Sequence, residues 1–100
     1  MRLTWERAAH RSLGAAIAWW LEVDARGLAE FLEALRAALG QIERFPWSGA
    51  AWRDGDDPRV RALLVGPYWL IYFVHDEHIG IELLQHVRRG PGAADLTLLP

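Results

Sequence analysis

Residues 66–89, GPYWLIYFVHDEHIGIELLQHVRR, decide the fold. They hold two runs rich in β-branched and aromatic residues, Tyr68–His75 and His78–Val87, joined by Asp76-Glu77, a connection of the length that antiparallel hairpins use. A third run, Val60–Val65, precedes them across Gly66-Pro67, so a three-stranded antiparallel meander is expected. In the last strand, simple alternation puts Ile79, Ile81 and Leu83 on one face and Glu82, Leu84, His86 and Arg88 on the other. If apolar burial draws helices onto the isoleucine face, His86 and Arg88 point away from them.

Upstream of the meander the spacing changes. Residues 2–5, RLTW, alternate, with Leu3 and Trp5 on one face of a short strand. From Glu6 to Val23 the residues Ala9, Leu13, Ile17, Trp20 and Leu21 recur at helical intervals. Asp24 and Gly27 mark a turn, and a second helix from Gly27 to Arg44 carries Leu28, Phe31, Leu32, Leu35, Leu39 and Ile42 on its apolar stripe. It should stop before Pro46, whose ring disfavours helical backbone at Phe45. So short a turn predicts an antiparallel helical hairpin. The segment 46–58, PWSGAAWRDGDDP, reads as a surface loop. The fold class is therefore α+β: an N-terminal strand, a helical hairpin, then the meander.

Composition narrows the function. One hundred residues, 52% of them hydrophobic, suit one domain spanning residues 1–100, and no repeat or linker divides them. Cysteine is absent, so disulfides, thiolate metal sites and thiol nucleophiles are excluded. The longest apolar run, Ala62 to Val74, is interrupted by Gly66 and Pro67, which with a charged N-terminus predicts a soluble cytoplasmic protein without a membrane partner. All eleven basic residues are arginine, and the formal charge of −2 speaks against gripping nucleic acid over the whole surface. Nothing in the sequence calls for a cofactor. His75 and His78 flank Asp76-Glu77, but adjacent turn residues seldom converge on one ion, so no metal site is expected there. His10 is expected to be exposed.

The order β-α-α-β-β-β, the phrase ERFPWSG closing the second helix, the segment VRALLVGPYWLIYFV and the terminal HVRR resemble the RelE/ParE superfamily of bacterial toxins. The resemblance runs from about Leu3 to Arg89. It implies the toxin of a type II toxin–antitoxin pair, held inactive by a cognate protein antitoxin. In the ParE branch the implied target is DNA gyrase; in the RelE branch the implied activity is cleavage of messenger RNA on the ribosome.

Cutting RNA through its own 2′-hydroxyl needs a base, an acid and cationic groups where charge builds on the phosphate. RelE-like nucleases supply these largely from lysines and arginines on the middle strands and a tyrosine on a C-terminal helix. Here lysine is absent, Trp69 stands where that branch carries an arginine, and Leu63 stands beside Arg61 in place of a second basic residue. After Arg89 the chain reads GPGAADLTLLP, with no tyrosine and too much glycine and proline for a stable helix. The resemblance is thus closer to the ParE branch. His86 keeps a nuclease open, because other members use a histidine near the end of the last strand in proton transfer; the alternative is a structural strand-end histidine. Arg61, Arg88 and Arg89 either clamp a partner's phosphate or carboxylate or simply solvate the sheet. Tyr72 shares a face with Tyr68 and either packs in the core or meets a partner. Six tryptophans are many for so small a core, and Trp47 and Trp52 lie in the expected loop. They form a protein interface, or else the loop folds back and buries both against the helices. A third possibility is a non-toxic module whose only partner is the antitoxin.

Overall fold

The computed structural model of the chain describes residues 1–52 and 57–89, residue 89 by its backbone alone. The elements are β1 (Arg2–Trp5), α1 (Arg7–Val23), α2 (Ala25–Arg44), a 3₁₀ turn at Pro46–Ser48, β2 (Ala50–Ala51), β3 (Val60–Val65), β4 (Tyr68–Val74), β5 (His78–His86) and a 3₁₀ turn at Val87–Arg89. They build one five-stranded sheet in the order β1-β5-β4-β3-β2. The meander is antiparallel throughout, as expected, while β1 lies parallel to β5 with Leu3 opposite Ile79 and Trp5 opposite Ile81. β2 is an addition: two alanines in the expected loop pair with Arg61 and Ala62 and carry no strand pattern of their own. The expected tail beyond Arg89 lies outside the described residues.

Asp24 does two jobs in the helical hairpin. Its backbone N–H donates to Trp20 O at 2.7 Å and ends α1, while its carboxylate accepts from Gly27 N–H at 3.0 Å and starts α2. The second helix therefore begins at Ala25 rather than at the expected Gly27, with no loop between the two. Gly27 must be small, because a β-carbon there would stand 2.5 Å from the Trp20 ring and 2.7 Å from the Asp24 carboxylate. α2 stops as Pro46 requires, with Phe45 N–H donating to Gln41 O at 2.7 Å.

One face of the sheet is covered by the helices. Phe31, Leu35, Ala38 and Ile42 of α2 pack on Val65, Tyr68, Leu70, Tyr72, Ile79 and Ile81. The first helix departs from expectation. Its buried line is Ala9, Ser12 and Ala16, and Leu21 is 61% exposed. Small residues at the contact line let α1 sit close to β5, with the larger Leu13 and Trp20 flanking it. Closeness also lets Ser12 Oγ accept from Leu84 N–H at 3.0 Å while donating to Ala9 O at 3.1 Å, which satisfies a strand amide beyond the reach of β1.

The last strand does not alternate as expected. Tyr72 pairs with Ile81, but its neighbour Ile71 pairs with Leu83, so Glu82 is an extra residue, a β-bulge. On the N-terminal side of the bulge Ile79 and Ile81 face the helices. Past it the phase is inverted: Leu84 joins the helix-side core and Leu83 joins a second cluster, with Ala62 and Ile71, on the opposite face. His86 consequently falls on the helix side, against Tyr68, and not on the open side where alternation put it. Arg88 lies beyond the strand in the 3₁₀ turn and is exposed.

Candidate functional site

Tyr72 is completely buried, so the contact role considered for it is withdrawn. Its hydroxyl donates to Pro46 O at 2.8 Å and accepts from Gly49 N–H at 2.9 Å, tying the segment after α2 to the middle of the sheet. Burial pushes its pKa up, against the opposing pull of the Gly49 amide, the Ser48 side chain and the Arg61 charge. Arg61 shares the helix-side face of β3 with Leu63 and Val65, not the open face. Its guanidinium donates to Gly49 O at 2.9 Å, Pro58 O at 3.2 Å and Trp47 O at 3.3 Å, and lies 5.5 Å from the Trp47 ring centre. It is a clamp that ties the backbone at Trp47 and Gly49 to that at Pro58 through one carbonyl of each.

The two loop tryptophans part company. Trp47 is 53% exposed. Trp52 is half-buried and packs edge-on against Trp69 at 5.6 Å, over the second cluster on the open face rather than under the helices. Neither expected arrangement holds for both rings. On the other side of the sheet, His86 stands edge-on to Tyr68 at 5.4 Å, and Tyr68 meets Phe31 at 5.1 Å. Its Nδ1 accepts from Arg88 N–H at 3.2 Å, so the turn itself sets the ring's orientation. Nothing is described of the Arg89 side chain. His10 is exposed, and His75 stacks on His78 at 4.2 Å beside the Asp76-Glu77 turn. Among the described residues no three histidine, cysteine, aspartate or glutamate side chains are placed to hold a metal ion.

The structure brings together a set that sequence reasoning missed. A groove of about 600 Å³ runs across the open face between Trp52 and the first turn of α1, over Ile71, Phe73, His75, Glu82, Leu83 and Gln85, with Glu6 and Ala8 at its far wall. Glu6 arrives there because its backbone N–H donates to Ile81 O at 2.9 Å, which ends β1 beside the bulge. The bulge turns Glu82 towards the same wall. Burial raises the pKa of the Glu82 carboxyl, the Glu6 charge raises it further, and His75 pulls the other way. Gly80, inside a strand, was the signal: a glycine in such a place often marks a bulge or a close approach. The groove is apolar in its floor, acidic at one end, and lined by no arginine among the described residues. Its chemistry does not suit an approaching phosphate.

These elements, a mixed sheet with β1 parallel to the last strand of an antiparallel meander and a helical hairpin on one face, define the RelE/ParE-like fold. Among solved structures, a chain of the chromosomal ParDE TA system from P. aeruginosa superposes with a TM-score of 0.68 at 20% identity, covering 86% of this chain and 95% of its own. A YoeB/ParE toxin from Agrobacterium tumefaciens superposes at 0.59 with 15% identity, over 86% of this chain and 98% of its own. No family model and no curated protein matches the sequence.

Proposed function

We propose that this protein is the toxin of a type II toxin–antitoxin pair, a ParE-like inhibitor that acts by binding DNA gyrase in the cytoplasm and is neutralised by a cognate protein antitoxin. Its likeness in fold to a ParDE chain and to a YoeB/ParE toxin supports the toxin class. One observation favours binding over RNA cleavage: the groove on the open face of the sheet presents the Glu6 and Glu82 carboxylates and, among the described residues, no arginine, a lining that repels the charge that builds on a cleaved phosphate. Arg88, Arg89, His86 and the exposed Trp47 are the proposed contacts with the target, and Trp52 a contact from the open face. Arg61 contributes indirectly, by holding Trp47 in place.

Antitoxin binding is supported by the surface the fold leaves uncovered. Trp19, Phe45 and Leu64 are large apolar residues exposed to solvent. β2 covers β3 only at Arg61 and Ala62, so among the described residues Leu63–Val65 offers an unpaired edge to which a partner strand can add. Two assays test the function. Supercoiling of plasmid by gyrase should be inhibited, or cleaved complexes should accumulate, when the protein is added, and the co-expressed antitoxin should reverse this. Primer extension on translated messenger RNA should show no new cuts; cuts that disappear in His86→Ala would replace the inhibitor with the ribosome-dependent nuclease. Binding of the antitoxin with neither effect would leave a non-toxic module.

A further inference from the structure

The groove on the open face is deepest in chemical terms over Gly80. The point where a β-carbon would stand on this residue lies 3.3 Å from Glu82 Oε2, 3.3 Å from His75 Nε2 and 3.5 Å from Glu6 Oε1. With no side chain to separate them, three polar atoms from three segments gather around one niche over this part of the strand. The walls leading to it, Trp52, Ile71, Phe73 and Leu83, are apolar. An apolar approach ending in carboxylates matches a side chain with a hydrocarbon stem and a cationic head. The same face already holds one such contact: the Arg59 guanidinium lies 4.8 Å over the Phe73 ring while paired with Asp57 at 2.8 Å.

We propose that the groove is a docking site for a lysine or arginine side chain of a partner polypeptide laid across the open face of the sheet. Charge complementarity selects the head group, since Glu6 and Glu82 repel anions and already repel one another, a cost that a cation between them relieves. A polypeptide is favoured over a free amine because the groove runs on from the niche to the half-buried Trp52, and Trp69 and the 57% exposed Leu64 continue the apolar surface. Residues flanking the basic one on the partner should be apolar. Trp52 is shared with the proposed target contacts, but Glu6, His75 and Glu82 belong to this site alone, so Glu6→Gln and Glu82→Gln test it separately from gyrase binding.

The test uses the full chain labelled with ¹⁵N and two peptides, acetyl-Val-Arg-Val-amide and its counterpart with citrulline, which keeps the shape and loses the charge. The arginine peptide should shift the amide signals of Gly80 and Glu82 and the indole signal of Trp52. Citrulline should weaken binding by about tenfold or more, and so should Glu82→Gln and Glu6→Gln in the protein. Should one variant fail to fold, the other and the citrulline comparison still decide. Equal binding of the two peptides, shifts confined to residues outside the groove, or no saturation at millimolar peptide would overturn the proposal.

Discussion

Tyr72 joins the sheet to the segment after α2 through a single oxygen, which donates to Pro46 O and accepts from Gly49 N–H. Tyr72→Phe keeps the ring and leaves both backbone groups without their partner, which should cost about 1–3 kcal/mol and lower Tm. The raised pKa of Tyr72 fixes the sign of a pH effect. Its neutral form is favoured by folding, so that stability is fully present below the ordinary tyrosine pKa of about 10 and is lost as pH rises from there through the higher folded value. Denaturation at alkaline pH should show this loss, and Tyr72→Phe should reduce it, leaving the share due to Tyr68, whose pKa burial also raises. Glu82 has the same sign in a lower pH window. Burial and the Glu6 charge disfavour its ionised form in the fold, so Glu82→Gln should raise Tm at pH 7, where the unfolded chain's carboxyl is ionised, and the gain should close as pH falls from the raised folded pKa towards the ordinary carboxyl range. Neither role was legible in sequence. Alternation gave Tyr72 its face, but the hydroxyl's partners come from a segment more than twenty positions away in the chain.

Among the elements, the strands and helices announced themselves by period, and their order followed. The phase of β5 did not. A single inserted residue, Glu82, inverts every side chain after it, and alternation carries no memory of an insertion. That is why Leu83 and His86 were placed on the wrong faces while Ile79 and Ile81 were placed correctly. The tight start of α2 was half legible: Asp24 and Gly27 stood out as turn residues, but their actual work is to cap one helix and admit the Trp20 ring. Gly27→Ala, which raises helix propensity on an exposed helix, should here destabilise by about 1–3 kcal/mol, because the added methyl meets the Trp20 ring and the Asp24 carboxylate. Urea denaturation of the variant should show a lower midpoint; a higher midpoint would mean that the ring moves aside at little cost.

At the scale of the whole molecule the sheet has two unlike faces and one unlike edge. One face is sealed by the hairpin, the other holds a shallow apolar cluster and an acidic groove, and among the described residues the β3 edge is open beyond β2. Composition hinted at this imbalance through its six tryptophans, but not at where the surplus lies. If a partner strand adds to the open edge, Leu64→Lys should weaken antitoxin binding by about tenfold or more, through a charge set on an apolar contact, with little change in Tm since Leu64 is already exposed. Calorimetric titration with the purified antitoxin measures it, and unchanged affinity would move the antitoxin to another surface.

The pairing of Arg2 with His78 and of Trp5 with Ile81 joins residues more than seventy positions apart, the earlier strand being made well before the later. During synthesis, therefore, β1 has no strand neighbour until His78–Ile81 has cleared the ribosome's exit tunnel, and the helix-side core lacks Ile79, Ile81 and Leu84 until then. Maturation of the sheet thus waits on β5, and the stretch of chain between the two strands must be made before the first of them can be paired.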